Sequence, residues 1–381
     1  MLNFCVLLLL SSYNKGEPRG IYINFYIAGF TMNICFINFN KRWGGVKTWT
    51  IDYGSQLVKR GHKVVAIVRP DTPFVQKCID AGFETHVMRP GMKYNPVTIA
   101  KIFSILKSRK VDAAVVNISK DLNIGAVACK LAGVPVYHRV GLPQDYKNTS
   151  EEKRLHGFIK GIIVPSQGLK EDISKLPWMR ADIISVLFNS KDREKFKPKM
   201  PSDKTDITIG VSSQLSVTKG HIYLLDAARM LADDGVKFKL LIAGTGSNEA
   251  QLKEYVAIQE LNEFVEFCGF QTDVPAFLQS LDVFALPSLE ENFPNTLLEA
   301  MFTGLPCVAF NAGAVKELTG DACIILDKGD SKGLYEAIRL FAEHLDMRKK
   351  YGQAARKRCL DLFDIEKNTE KLEKILSGEV I

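Results

Sequence analysis

The chain has 381 residues, of which 46% are hydrophobic and 24% charged. This length exceeds what one hydrophobic core usually supports, and the composition excludes disordered and fibrous proteins. The net charge of +7 conceals an asymmetry, because Lys and Arg are in excess over residues 31–200 and Asp and Glu over residues 201–381. The eight Cys residues include no CxxC pair, which argues against a zinc site or a disulfide framework and favours a reducing compartment.

Residues 1–31 are expected to form an extension outside the fold. The apolar run 5–10 is short and has no Lys or Arg before it, so it makes a poor signal peptide. Residues 21–39 are uncharged, but Asn24, Asn33 and Asn38 make them a weak membrane span. Met32 directly precedes a strand-like run, so an over-called translation start is one interpretation of the extension.

Residues 32–195 alternate strand-like apolar runs with helical patterns. This alternation predicts βαβ units and a parallel sheet that is buried on both faces. A helix is expected over residues 48–60, because Gly61 follows it as a stop signal. The expected strands are 34–38, 64–68, 113–116, 134–137, 162–164 and 183–187.

The same rhythm returns after a charged segment at residues 191–206, within which we place a linker at 196–206. The second domain is predicted to cover 207–362, and residues 363–381 are expected to form a helix that crosses back to the first domain. The fold class is therefore α/β, with two Rossmann-like, doubly wound parallel sheets facing a central cleft. The expected strands are 207–211, 239–242, 265–268, 283–286, 307–310 and 323–326, and the expected helices are 222–231, 249–258 and 331–344.

The segment 287–301, PSLEENFPNTLLEAM, carries the clearest chemical signal. Pro294 suits the first turn of a helix, so free N–H groups around Asn295 and Thr296 would form an anion site. Glu291 and Glu299 can each accept hydrogen bonds from vicinal hydroxyls. Carboxylates that flank a phosphate-binding helix end are what a nucleotide sugar requires. The plain alternative is that the acidic residues before the helix are solvated charges.

The spacing Glu291-x7-Glu299, followed by Gly304-Leu305-Pro306, resembles that of the retaining GT-B glycosyltransferases of family 4, or group 1. The resemblance extends from Met32 to about Phe363. The other matching positions are Gly44-Gly45, Gly61-His62, Lys219-Gly220, Ala243-Gly244-Thr245-Gly246, and Gly313 with Glu317.

The resemblance implies roles for individual residues. Glu291 would hold hydroxyls of the donor sugar, and Glu299 would accept hydrogen bonds from the ribose. Lys219 would neutralise the diphosphate, and Gly45 would let the backbone approach it closely. The remaining donor-binding positions are Asn292, Phe293, Pro294, Asn295 and Thr296 around the diphosphate, and Gly269 and Phe270 beside the base.

The sequence departs from the family pattern in two places. Gln214 stands where the family commonly has an Arg, so diphosphate stabilisation would fall more heavily on Lys219 and the helix N-terminus, or another cation would fill in; the candidates near the glycine pair are Lys41, Arg42 and Lys47. Residues 189–192 read NSKD where the family often has N-G-x-D, which we interpret as a turn variant.

His138 is expected to follow the strand 134–137, at a position where the family often has a His that contacts the donor. We assign it a catalytic role beside Lys219 and Glu291, and the alternative is a packed His at the cleft. Arg139 is a candidate for a phosphate or acceptor contact.

Other kinds of site have little support. The turn 244–249 reads GTGSNE and lacks the third glycine of a dinucleotide fingerprint, and there is no Walker A sequence or D-x-D pair. We therefore expect neither a metal nor a cofactor. We do not expect nucleic acid as a partner, because no basic tract is interleaved with aromatic residues.

The function that the resemblance implies is retaining transfer of a sugar from a nucleotide diphosphate sugar to a glycan or a lipid-linked acceptor, as in cell-surface polysaccharide or lipopolysaccharide biosynthesis. An epimerase or phosphorylase on the same scaffold, or a degenerate non-catalytic subunit, are the alternatives. Residues 98–110 have the pattern of a basic amphipathic helix, which suits an anionic membrane surface or an ordinary packed helix. We expect a cytoplasmic protein, with peripheral attachment to the inner face of the membrane as an option.

Overall fold

Two parallel β-sheets, each flanked by helices, organise the chain. The computed structural model describes residues 31–379, apart from 42–43, 118, 143–144, 147, 202 and 204–205. The prediction of an extension at 1–31 therefore lies almost wholly outside the described residues, as does the alternative cation Arg42. The predicted fold class, two doubly wound domains, is confirmed.

The first sheet has seven strands in the order β3-β2-β1-β4-β5-β6-β7. Its central strands are apolar on both faces because helices cover both sides of the sheet. The strands are β1 (Asn33–Asn38), β2 (Lys63–Val68), β3 (Glu84–Val87), β4 (Ala113–Val116), β5 (Val136–Arg139), β6 (Ile159–Val164) and β7 (Ile184–Val186). The helices are α1 (Gly45–Lys59), α2 (Pro73–Asp80), α3 (Pro96–Ser108), α4 (Ser119–Ala132), α5 (Ser150–His156) and α6 (Gln167–Ser174).

Three strands of this sheet differ clearly from the prediction, among them β6, which begins at Ile159 rather than at residue 162. Strand β3 was not predicted, since its sequence ETHV is polar and, at the sheet edge, only part of it is covered. Strand β5 begins at Val136 and ends at Arg139, so His138 lies inside the strand rather than after it. The turn-like Pro135 explains the late start, because proline donates no hydrogen bond to the sheet.

The second sheet has six strands in the order β10-β9-β8-β11-β12-β13. The strands are β8 (Ile207–Ser212), β9 (Phe238–Ala243), β10 (Val265–Gly269), β11 (Val283–Leu286), β12 (Cys307–Phe310) and β13 (Ile324–Leu326). The helices are α7 (His221–Asp233), α8 (Glu249–Ile258), α9 (Val274–Ser280), α10 (Asn295–Phe302), α11 (Val315–Thr319), α12 (Ser331–Glu343), α13 (Leu345–Leu362) and α14 (Ile365–Ser377).

The last helix, α14, packs on the first domain. Its side chains Leu372 and Leu376 belong to the same buried cluster as Tyr53 of α1. Glu373 of α14 accepts hydrogen bonds from Arg60 at 2.6 Å and lies 2.8 Å from His62 Nε2. The chain therefore passes between the two domains twice, once near residue 191 and once near residue 364.

The two passages are held side by side. The Lys191 N–H donates to the Phe363 carbonyl at 3.1 Å, and the Ile365 N–H donates to the Lys191 carbonyl at 3.2 Å. Phe363 is buried in the second domain, whereas Ile365 is buried in the first. This pair of backbone bonds marks the junction between the domains.

If α14 is part of the first domain's core, Leu372→Ala should lower the free energy of unfolding by about 2–5 kcal/mol, the usual cost of a large-to-small change at a buried site. Lys374→Ala, on the exposed side of the same helix, should change it by no more than about 0.5 kcal/mol. Denaturant unfolding monitored by fluorescence measures both. Equal effects of the two substitutions would show that α14 does not contribute to the core.

Candidate active site

A cleft of about 1480 Å³ separates the two domains at the carboxyl ends of their strands. The first domain contributes Gly45, Arg139 and Tyr146 to its walls, and the second contributes the loop before α10. Four of the predicted donor-binding residues lie in that loop or at the helix start and line the cleft: Glu291, Asn292, Phe293 and Asn295.

The loop before α10 is shaped by a glycine opposite it. Gly313 has φ +54°, and a Cβ at this position would lie 1.7 Å from the Glu291 carbonyl oxygen. Only glycine fits there. Pro294 precedes the first helical residue, Asn295, as the sequence predicts for a helix start. Thr296 follows in the first turn.

Lys219 and Glu291 are brought into direct contact. Lys219 ends a short 3-10 turn before α7, and its Nζ lies 2.5 Å from Glu291 Oε1 and 3.4 Å from the Glu290 carbonyl oxygen. The two side chains are 23% and 11% exposed, so this ion pair is only partly screened by water. The structure thus joins two of the three residues predicted to be catalytic.

The first residues of α1 and α10 lie next to each other in the cleft wall. A Cβ on Gly45, the first residue of α1, would lie 2.9 Å from Asn295 Nδ2. Asn189 donates from Nδ2 to Asn295 Oδ1 at 3.0 Å. Because the N-terminus of a helix carries partial positive charge, two such ends at one point favour an anionic group.

Glu299 has a partner that the sequence analysis missed. Lys191, only 4% exposed, lies with its Nζ 2.9 Å from Glu299 Oε1 and 3.1 Å from Asp52 Oδ2. Burial alone would lower the pKa of Lys191, but Asp52 and Glu299 raise it above its ordinary value. Residues 189–192 are therefore more than a turn variant, since Lys191 links α1 to α10. A carboxylate at Glu299 keeps its second oxygen for other donors.

His138 lies beneath the cleft rather than in its wall. It is fully buried, its Nδ1 lies 2.6 Å from the Tyr146 hydroxyl, and its Nε2 has no hydrogen-bond partner within the described ranges. Burial, with smaller contributions from His156 and Arg139, lowers the pKa of His138 to about 3. His138 does not itself line the cleft but contacts Tyr146, which does, and its direct contact with a donor stays a prediction.

The remaining predicted residues lie away from the cleft wall. Gln214 is exposed after β8, and Gly269 ends β10 with φ +63°. Phe270 is 69% exposed next to it. Both residues at the end of β10 are on the carboxyl side of the second sheet, as a base site requires, and their contact with a base stays a prediction.

Two family models match the chain. Glycosyltransferase Family 4 matches residues 43–195, and Glycosyl transferases group 1 matches residues 192–358. The chain belongs to the group 1 glycosyltransferases. The two matches meet at the passage that carries Lys191.

Relatives of this glycosyltransferase come from several bacteria. It is 27% identical over 61% of its length to the UDP-Gal:alpha-D-GlcNAc-diphosphoundecaprenol alpha-1,3-galactosyltransferase of Escherichia coli, and spans 65% of that protein. It is 31% identical over 42% of its length to the lipopolysaccharide core biosynthesis mannosyltransferase LpsB of Rhizobium meliloti, and spans 50% of it. The chain thus covers less than two thirds of each of these relatives.

Solved structures show the same GT-B fold. Anabaena Alr3699/HepE in complex with UDP and glucose superimposes with a TM-score of 0.77, over 91% of this chain and 100% of that one, at 22% identity. Within the described residues, no helix is both long and apolar enough to cross a membrane. The same part of the chain contains no group of three or more His, Cys, Asp or Glu side chains arranged to hold a metal ion.

The buried His138 predicts a pH dependence of stability. Its folded pKa of about 3 lies below the ordinary value of 6.5, so the unfolded chain binds a proton that the folded chain does not. The contribution is complete above the unfolded pKa and is lost as the pH falls from there towards the folded pKa. Between about pH 7 and about pH 5.5, denaturant unfolding of the wild type should lose about 1 kcal/mol more than that of His138→Gln. An equal loss in both proteins would contradict the assignment.

Proposed function

We propose that this glycosyltransferase transfers a hexose or a similar sugar, with retention, from a nucleotide diphosphate sugar to a hydroxyl of a glycan or lipid-linked acceptor. The reaction would serve cell-surface polysaccharide or lipopolysaccharide biosynthesis. The observation that carries the proposal is the Lys219–Glu291 contact beside the adjacent N-termini of α1 and α10. In this arrangement, the Glu291 carboxylate would accept hydrogen bonds from sugar hydroxyls, and the adjacent positive groups would bind a diphosphate.

The leaving group explains why these parts are placed together. When the bond between the sugar and the diphosphate breaks, negative charge grows on the diphosphate. Lys219 and the two helix ends would lie near that charge in a fixed arrangement, which is the usual source of electrostatic catalysis. Glu291 would accept hydrogen bonds from hydroxyls of the sugar, while its ion pair with Lys219 holds the Lys219 ammonium in place. Closure of the cleft would exclude water and suppress hydrolysis of the donor.

The relatives support a nucleotide sugar as donor and a lipid-linked or glycan acceptor. The name of the Escherichia coli relative specifies UDP-Gal and a GlcNAc-diphosphoundecaprenol acceptor, and LpsB is named as a mannosyltransferase of the lipopolysaccharide core. We extend to this chain the donor class and the acceptor class, but not the particular sugar.

Purified protein, incubated with UDP-, GDP- and ADP-sugars and an extract of lipid-linked saccharides, should transfer sugar from one donor. We propose that no metal is needed, because Lys219 and the helix ends carry the leaving-group charge. EDTA should therefore leave the rate unchanged. Rescue of an EDTA-inactivated enzyme by Mn²⁺ would contradict the metal-free mechanism. Release of epimerised nucleotide sugar, or phosphate-dependent cleavage, would replace the proposed reaction.

The two glutamates should divide the donor between them. Glu299→Gln keeps the size of the side chain but removes the charge. If ribose hydroxyls donate to Glu299, the substitution should weaken the binding of a free nucleoside diphosphate and of its sugar conjugate alike, by about 1.5–3 kcal/mol. Glu291→Ala should weaken mainly the binding of the sugar conjugate. Titration calorimetry with both ligands separates the two effects. Equal weakening of the free nucleotide by both substitutions would contradict the division.

We also propose that the enzyme is cytoplasmic and binds the inner membrane surface peripherally. Helix α3 buries Ile102 and Leu106 in the core, as an ordinary packed helix does, so its apolar face is not the binding surface. The exposed apolar residues are nearby: Met92 is 82% exposed and Val97 62%. Val97 and the exposed Lys101 lie four residues apart in α3 and so share one side of the helix, which combines an apolar and a basic group.

Liposomes test this attachment. The protein should sediment with vesicles that contain anionic lipid and dissociate at high salt, because each exposed Lys contributes a screened attraction of about 1 kcal/mol. Lys101→Glu should reduce the bound fraction, and Lys374→Glu, on the far helix α14, should not. Equal binding to neutral and anionic vesicles would contradict the proposal.

A further inference from the structure

Arg139 is a buried cation in the cleft wall. It ends β5, is 3% exposed, and still borders the cavity between the domains. Its NH2 donates to Asn189 Oδ1 at 3.0 Å, and its guanidinium carbon lies 5.6 Å from the centre of the Trp49 ring. These contacts hold the planar group in one orientation.

No carboxylate forms an ion pair with Arg139 in the part of the chain that the structure describes. Asp145 is the acidic group that acts on it, but Asp145 Oδ2 accepts the backbone N–H groups of Gly141 and Leu142, at 3.1 and 3.0 Å. Burial lowers the pKa of Arg139 to about 10, which still leaves it charged at neutral pH. A buried charge without a counter-ion is costly, so an anion that enters the cleft beside it would be strongly favoured.

Hydrogen bonds connect this guanidinium to the donor helix. Arg139 donates to Asn189, and Asn189 donates to Asn295 at the start of α10, next to Gly45. Of the cations that the sequence offered as substitutes, Lys47 is buried and directs its Nζ to the Lys41 carbonyl at 3.5 Å. Lys47 does not line the cleft. Lys41 does but is exposed to solvent, whereas Arg139 is buried in the cleft wall and held there by Asn189.

We propose that Arg139 binds the diphosphate of the donor and supplies the positive charge that Gln214 does not. The inference rests on the proposed function, since it specifies how that donor is held. A guanidinium presents two parallel donors to a phosphate, and Asn189 keeps it aimed at the N-terminus of α10. The cation thus comes from the first domain, so binding of the diphosphate draws both domains together.

Titration calorimetry without acceptor tests the proposal. Wild type is first titrated with UDP, GDP and ADP. The diphosphate that it binds most tightly, and the corresponding monophosphate, are then the probes for all variants. Arg139→Gln should lower the affinity for the diphosphate about 10- to 100-fold and the affinity for the monophosphate less. The preference of the protein for the diphosphate should therefore shrink. Arg139→Lys, which keeps the charge, should lose less. Arg89→Gln removes an exposed Arg of the same domain and should leave the affinity unchanged.

A second substitution tests the exchange of charge. Gln214→Arg, added to Arg139→Gln, should recover at least part of the lost diphosphate affinity, because it returns the cation to the position where the family has it. Thermal unfolding of each variant without ligand shows whether the fold survives; if Arg139→Gln does not fold, the same comparison with Arg139→Lys against wild type decides the question.

Several results would overturn the inference. If folded Arg139→Gln binds the diphosphate as tightly as wild type does, Arg139 does not hold it. If that affinity is unchanged but the KM for a lipid-linked acceptor rises, the anion belongs to the acceptor instead of the donor. If wild type binds none of the three diphosphates, the proposed function itself fails, which distinguishes that failure from the failure of Arg139 alone.

Discussion

The cleft depends on two ion pairs that the buried Lys191 forms, one with Asp52 and one with Glu299. Lys191 lies where the chain first passes between the domains, and its ammonium contacts α1 of the first domain and α10 of the second. Removing the cation would leave two carboxylates in a poorly solvated place, at a cost of about 3–5 kcal/mol. Its backbone also pairs with Phe363 and Ile365 of the second passage. One residue therefore fixes both passages and two helices.

The chemistry of the site follows from where these ion pairs hold α10. With α10 fixed against α1, the two helix N-termini meet at Gly45 and Asn295. At a second contact between the domains, Glu317 of α11 accepts the backbone N–H groups of Gln167 and Gly168 at the start of α6, at 2.7 and 3.3 Å. These contacts between the domains fix a site whose halves come from different sheets. Binding of a diphosphate at the joint would therefore be coupled to the relative position of the domains.

Local sequence patterns were enough to predict most strands of the two sheets and the helix start that follows the loop before α10. Every predicted strand of the second domain is present, because buried parallel strands are apolar runs between turns. The edge strand β3 was missed since partial exposure lets it be polar. The family resemblance, and not local pattern, assigned roles to Lys219 and Glu291, but their direct contact was not predicted.

The sequence could not reveal the contacts that join distant segments. His138 looked like a strand-end residue, yet one shift of β5 places it under Tyr146. Lys191 looked like a turn residue because its two carboxylate partners are more than a hundred residues apart. The hydrogen bonds from Arg139 through Asn189 to Asn295 likewise depend on the arrangement of both domains. The sequence signal available for the contacts of Lys191 and Arg139 was a basic residue near the end of an apolar strand.

A crystal structure of the protein with a bound nucleoside diphosphate sugar tests the central claim most directly. The account predicts that the diphosphate lies between the N-termini of α1 and α10, within hydrogen-bond distance of groups from both domains. A diphosphate bound by the second domain alone, or outside the joint between Gly45 and Asn295, would contradict it.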